Sequence, residues 1–428
     1  MGARILHRLC GSLDRFDRAG CAGTVAVTHR SAPAFSGDAA HDETGRASRR
    51  TPAAGANGPA PSVRAGLLAL TMSLAACGGA TDRPAEVSAH GLTVSTADLG
   101  DRLNLFTWSD YIDPDLVTEF EKTYGVKVSI DYYDTNEALI AKLQAGGQSQ
   151  YDVIIASDYA VEVLHQGGRI QPVDTTLIPN RRNLDARFAD PPYDPGNRYS
   201  LTYQWGTSGL GVRSDLVADT SRIVPSWRLV FDATAGVGPF VMMSDARELI
   251  GAALIYLGHS ANSMDSTELA AAEQLLLAQR SRVLTYAPFA TARDLLASGD
   301  ATVAHNYSGD ILTAREEVPG IRYVIPSEGA IIWTDNMAIP AGAPHPTLAG
   351  VFINFILDPN VGARLSNFTR YPSPNAASTP LIDPGLRANP SIYPDSQTMQ
   401  RLEFLRDIGA ARSMYDRIFT RLRAGAGG

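Results

Sequence analysis

The sequence predicts an α/β protein of two lobes with a ligand cleft between them. Three observations carry that prediction. Between residues 103 and 168, apolar strands and capped helices alternate as β-α-β-α-β-α, the pattern of a parallel sheet with helices on its faces. A second α/β run lies between residues 245 and 325. Two extended segments, Tyr203–Val212 and Trp333–Pro340, flank that run, as chain crossings between two lobes would. Small ligands usually bind in such clefts.

In chain order, residues 1–62 come first. They are rich in Ala, Gly, Ser, Pro and Arg and lack a sustained apolar period. Such a stretch buries too little surface to offset its ordering entropy, so it is expected to be a disordered leader. A signal segment behind 60 residues is odd, and the expectation is a true start near Val63, with residues 1–62 a start-site error. Residues 63–77 change character. Arg64 is followed by about a dozen mostly apolar residues, too few to span a bilayer as a helix. Leu74-Ala75-Ala76-Cys77 resembles the bacterial lipobox, whose cysteine is lipidated after cleavage; the alternative is a buried or terminal apolar helix. Cys10, Cys21 and Cys77 are the only cysteines, so cleavage before Cys77 leaves no internal disulfide. Residues 78–101 are expected to be a flexible tether.

Charge divides the same way. Residues 1–77 hold nine arginines and five acids, whereas the rest holds 28 basic and 40 acidic residues, a net −12. An acidic body attracts small cations and argues against a phosphate-dominated nucleic-acid partner. None of the three lysines, Lys122, Lys127 and Lys142, follows a glycine, so no P-loop can be written. Neither an HExxH helix nor a GxSxG elbow is present.

The body opens with strand Leu103–Thr107. Asp113-Pro114 starts a helix that Gly125 ends. A strand over Val126–Tyr132 precedes a helix capped by Thr135 and stopped by Gly146-Gly147. Tyr151–Ala156 is near-continuously apolar, as a buried parallel strand requires. The helix Tyr159–Gln166 is closed by Gly167-Gly168. Residues 175–200, with Pro179, Pro191, Pro192 and Pro195, read as a long surface connection. Beyond the first crossing come helices over 245–257, 266–282 and 290–298, strand Ala301–Asn306, helix Gly309–Glu317 and strand Ile321–Ile325. After the second crossing come helix Pro346–Leu357 and a last helical stretch over 398–423. Lobe one is expected to comprise 102–206 plus 335–380, and lobe two 207–334 plus 381–425.

Several motifs in this body resemble bacterial polyamine-binding proteins of the spermidine/putrescine ABC importers. They are Leu105-Phe-Thr-Trp108-Ser109-Asp110-Tyr111, Gly125-Val-Lys127-Val128, Tyr151-Asp-Val-Ile-Ile-Ala-Ser157-Asp-Tyr159 and Tyr203-Gln-Trp205-Gly206. The likeness continues through Asp245-Ala-Arg-Glu248, Tyr307-Ser-Gly-Asp310, Trp333-Thr-Asp335 and Tyr371-Pro-Ser-Pro374-Asn375. Single motifs are weak, but they run collinearly from about residue 102 to 424, nearly the whole body. The resemblance implies a two-lobed type II periplasmic binding protein fold with two hinge crossings, and capture rather than catalysis. It implies no cofactor and no metal, and a monomer that delivers its ligand to ABC permease subunits. The site would lie outside the cytoplasmic membrane, held there by a lipid at Cys77.

Physics asks the same of a polyamine site. Each buried ammonium needs a carboxylate or several acceptors, and the methylenes need apolar walls. Aromatic faces provide walls and attract cations, at about 0.5–2 kcal/mol each. By resemblance, Trp108, Tyr111, Tyr159, Tyr307 and Trp333 wall the site, with Tyr371 beside them. Asp335 pairs a central amine and Asp245 with Glu248 a terminal one, while Ser109, Asp110 and Ser157 sit near the other end. Asp310 falls where putrescine-type members carry an Asp. Bland readings stand beside these: Asp245 as a helix cap, Asp310 as a first-turn acid, and the tryptophans as core. Trp205 reads as core or hinge packing. Asp110 and Asp310 look putrescine-like, whereas Trp333-x-Asp335 and Asp245-x-x-Glu248 look spermidine-like. Tyr307 stands where the family usually has Trp, and Leu405 lies near a position that carries an amide in spermidine-type members. The balance leans to spermidine or a broad polyamine preference. The alternatives are another cationic amine as ligand, or a glycosidase built on paired carboxylates.

Overall fold

A computed structural model describes residues 83–424. The leader 1–62, the signal segment 63–77 with Cys77, and residues 78–82 of the expected tether lie outside the described residues.

One eleven-stranded mixed sheet organises the body. On one side the parallel strands Lys127–Tyr132, Arg102–Thr107 and Val153–Ser157 lie in that spatial order. On the other lie Val303–Tyr307, Phe240–Met243 and Val283–Ala287, also mutually parallel. Two long antiparallel strands, Ser200–Arg213 and Ala330–Pro340, join the halves and pair with each other. Asp335 is opposite Ser157 on the first side, and Tyr307 is opposite Ser208 on the second. The pairing of the two long strands shifts by one residue between Asp335 and Asn336, a bulge in mid-crossing. Both crossings are buried almost throughout, which their apolar and glycine-rich sequences allow.

Local signals account for most elements. Asp113 accepts from the Asp115 amide, Pro114 occupies the first helical position, and Gly125 at φ 64° ends helix Pro114–Tyr124. Thr135 accepts from the Ala138 amide at the start of Asn136–Gln144. The crossings observed are slightly longer than the segments predicted, and the helices of the second side match within a few residues: Ala246–Tyr256, Ser266–Gln279, Phe289–Ser298 and Ser308–Glu317.

Three places differ from expectation. Residues 83–101 are not a loose tether. Glu86–Ala89 and Leu92–Ser95 pair as a hairpin around His90-Gly91, both at positive φ (51° and 73°), the backbone that a tight hairpin turn needs. Arg83 donates to the carbonyls of Gly100 (2.7 Å) and Tyr124 (2.6 Å), and Leu99 is fully buried, so the segment is fastened to the body. Of the stretch 398–423, only Arg412–Ala424 is a long helix. Leu402–Phe404 is instead a short strand parallel to Ala330–Ile332, recruited by an open sheet edge. A helix Pro359–Thr369, opened by Asp358 as its cap, and the strands Phe240–Met243 and Val283–Ala287 are the longer elements that the pattern reading does not give.

Candidate ligand-binding site

A cavity of about 430 Å³ lies where the two sides meet, and all thirteen residues singled out from the sequence line it. Its centre is Asp335, on the crossing strand Ala330–Pro340 and 5% exposed. The Tyr111 hydroxyl donates to its Oδ2 (2.6 Å) and the Ser157 hydroxyl to its Oδ1 (2.7 Å). Asn136 holds Ser157 from both ends, donating to Oγ and accepting from the amide. Burial raises the Asp335 pKa to about 7, and the two hydroxyls only partly oppose it. Ser157 therefore belongs to the centre of the cavity and not to the Asp110 end, because antiparallel pairing places it opposite Asp335.

One end is built on helix Ala246–Tyr256. Asp245 is its cap, accepting from the Arg247 and Glu248 amides, and it also lines the cavity, so the two readings of this residue coexist. Glu248, one turn in, is 4% exposed, and its Oε2 has no hydrogen-bond partner among the described residues. Burial, and then the neighbouring Asp245 charge, raises its pKa to about 8. His305 lies 3.9 Å from Glu248 and offers no charge, because burial lowers its pKa to about 3. Across the cavity, Tyr159 donates to Glu137 (3.0 Å), whose pKa burial and the Asp245 charge raise to about 7. Burial likewise raises Asp245 itself.

The opposite end holds Asp310, in the first turn of Ser308–Glu317, and the exposed Asp110 at φ 56°. Tyr371 donates to Asp310 Oδ2 at 2.6 Å. Burial raises the Asp310 pKa to about 6, opposed by the Tyr371 bond and the Arg293 charge. Ser109, next to Asp110, is half-buried.

Five rings form a chain of edge-to-face contacts across the cavity. Trp108 meets Tyr111 (5.6 Å), Tyr111 meets Tyr371 (5.6 Å), Tyr371 meets Trp333 (5.0 Å) and Trp333 meets Tyr307 (5.6 Å). Two glycines let this wall close. A Cβ on Gly206 would lie 2.5 Å from the Trp333 ring, and one on Gly309 2.6 Å from Tyr371. Trp205 is buried against Phe188 and Tyr393, away from the cavity, as packing.

The sequence reading passed over four lining residues that matter. Asp158 is buried, and burial raises its pKa to about 8. Asn136 and Asp158 neighbour recognised motifs and were accessible from them. Arg293 and Arg370 were not, since nothing local marks an arginine on an amphipathic helix or at a helix end as facing a cavity.

The chemistry of this arrangement follows. Asp335, Asp245 and Glu248 are carboxylates drawn from water among aromatic walls; hydroxyls donate to Asp335 and backbone amides to Asp245, while the Arg247 guanidinium acts on Asp245 and Glu248 through its charge. A site of this kind stabilises an organic cation whose ammonium groups face the acids and whose methylenes face the rings.

Comparison with known proteins agrees. The profile of the bacterial extracellular solute-binding protein family matches residues 115–392. Over 337 residues the chain is 34% identical to the spermidine/putrescine-binding periplasmic protein of Escherichia coli, covering 79% of this chain and 96% of that protein. It is 36% identical over 342 residues to the putrescine-binding periplasmic protein SpuD of Pseudomonas aeruginosa, covering 76% and 92%. Among solved structures, the TpPotD lipoprotein of Treponema pallidum superposes with a TM-score of 0.66 at 28% identity, covering 75% of this chain and 99% of that one. The family consists of non-enzymatic transport components, which removes the glycosidase alternative. The chain belongs to the bacterial extracellular solute-binding proteins, within the group of spermidine/putrescine-binding periplasmic proteins.

Proposed function

We propose that the protein captures spermidine, putrescine or both outside the cytoplasmic membrane and delivers them to an ABC-type permease. One observation carries the ligand class: Asp335 and the Asp245–Glu248 pair are carboxylates at separate points of one aromatic-walled cavity, without a fixed cation beside Asp335. Asp335 pairs one ammonium, and Asp245 with Glu248 pairs another. Trp108, Tyr111, Tyr159, Tyr307, Trp333 and Tyr371 enclose the methylenes. Closure of the two sides about residues 204–210 and 333–338 completes the site, with lobe one over 102–206 plus 335–380 and lobe two over 207–334 plus 381–425. The names of the relatives, one spermidine/putrescine-binding and one putrescine-binding, support the same class.

We further propose that Cys77 carries a lipid that holds a monomeric body beside the permease. The Leu74-Ala75-Ala76-Cys77 sequence and the lipoprotein named among the similar structures support this. Native mass spectrometry of the purified protein, followed by calorimetry with putrescine and spermidine, tests the ligand class. Co-purified polyamine and saturable binding are the expected results. Absence of both at neutral pH would overturn the reading.

A further inference from the structure

Arg293 is the unexpected member of the cavity. It lies on helix Phe289–Ser298, and its side chain is 19% exposed. One guanidinium nitrogen stands 3.6 Å from Asp310 Oδ1 and 3.5 Å from Asp110 Oδ2, while Nε reaches Asp294 at 3.1 Å. Asp110 and Asp294 are mostly exposed, so those two contacts add little stability in water. Asp310 differs. Its side chain is only 11% exposed, Tyr371 takes one oxygen and Arg293 faces the other. Nearby, Arg370 is already paired with Glu316.

The centre of the cavity and its Asp310 end are therefore not equivalent. At the far end the Arg247 guanidinium, which acts on Asp245 and Glu248 through its charge, is bonded to the Arg406 carbonyl and Asn262 and does not line the cavity. Asp335 is held by two neutral hydroxyls and, among the described residues, has no cation against it. Asp310 is held by one neutral hydroxyl and a guanidinium. A ligand ammonium gains a full charge partner at the first and must compete with a tethered cation at the second. Guanidinium stays charged across the whole physiological range, so deprotonation cannot relieve the competition.

We infer that Arg293 is a built-in cation occupying the Asp110–Asp310 end, where it denies that end to a ligand ammonium and so sets which polyamines the site can discriminate. The inference rests on the polyamine reading above. It implies that two ammonium groups find partners, at Asp335 and at Asp245–Glu248, and that ammonium groups beyond the second add little.

The test is calorimetry with putrescine, spermidine and spermine on the wild type and on Arg293→Met, Arg293→Gln and Arg293→Lys. In the Met and Gln variants, affinity for spermine relative to putrescine should rise by about tenfold or more, the effect of one new charge-assisted contact at Asp310. Arg293→Lys keeps the cation and should keep the wild-type ratio. Having two neutral variants guards against one that folds poorly. An unchanged ratio, or equal weakening of every ligand as expected if Arg293 only latched the two sides together, would overturn the inference. A wild type that binds no polyamine would instead bring down the ligand reading, and the inference with it.

Discussion

The Tyr111 hydroxyl donates to Asp335 Oδ2 at 2.6 Å across 224 positions of sequence, and no basic side chain among the described residues shares that acid. Removing the Asp335 charge leaves a bound ammonium unpaired, which typically costs about 2–5 kcal/mol. Asp335→Asn keeps the shape, so its affinity for either polyamine should fall roughly 30- to several-thousand-fold. Calorimetry measures this, with circular dichroism to confirm the fold. Near-wild-type binding by a folded Asn variant would remove Asp335 from the site.

Asp245 caps a helix and lines the cavity, and two substitutions separate the cap from the proposed ligand contact. Asn is as good a helix cap as Asp, so Asp245→Asn should leave stability nearly unchanged, whereas Asp245→Ala should lose about 1 kcal/mol. Binding is the other readout. The Arg293 cation directs even a diamine towards this end, so Asp245→Asn should weaken putrescine and spermidine alike, by about tenfold with Glu248 still present. Thermal melts and calorimetry read the two effects separately. Loss for spermidine alone would mean that putrescine sits at the Asp310 end.

Protonation follows from the raised acids. Asp335 near 7 and Glu248 near 8 hold protons when folded that they would release in the unfolded chain. The folded state thus binds more protons than the unfolded state between about pH 4 and 8, so these groups' contribution to the stability of the empty protein falls as pH rises through that window. An arriving ammonium favours the ionised form. Binding should therefore release protons near pH 7, and affinity should climb from pH 6 to 8. Calorimetry in buffers of differing ionisation enthalpy counts the protons, and Asp335→Asn should release fewer.

Gly206 offers a test without charge. A Cβ there meets the Trp333 indole at 2.5 Å, so Gly206→Ala must displace the ring or the strand, at about 1–3 kcal/mol. Affinity should fall for every polyamine by a similar factor, with no change in proton release. Selective loss for one ligand would show that Trp333 faces only part of the chain.

Where the sequence was legible, the reason was local. Asp113-Pro114, Thr135 and the paired glycines mark helix ends by hydrogen bonds within a few residues, and the site acids sit in short collinear motifs at strand ends. Asp358-Pro359 carries the same signal as Asp113-Pro114, and His90-Gly91 between alternating apolar residues is an ordinary hairpin signal. Those elements were readable in principle. Leu402–Phe404 was not, because three residues become a strand only when a distant edge, Ala330–Ile332, is there to receive them. Arg293 was illegible for a related reason: its meaning comes from Asp110 and Asp310, which lie 183 and 17 positions away.

The bulge between Asp335 and Asn336 has a consequence for the order of capture. It lies where the two halves of the sheet are joined, so on the closure proposed above the central acid would sit close to the pivot. Tyr111 and Ser157, its two donors, both belong to the first half of the chain. On that proposal the triad persists while the lobes are apart, and Asp245, Glu248 and Tyr307 come in from the far side. A polyamine would then land first on a preformed half-site, loosely and fast. The remaining contacts would form afterwards, as a slower concentration-independent step, and that second step would fix how long the ligand stays.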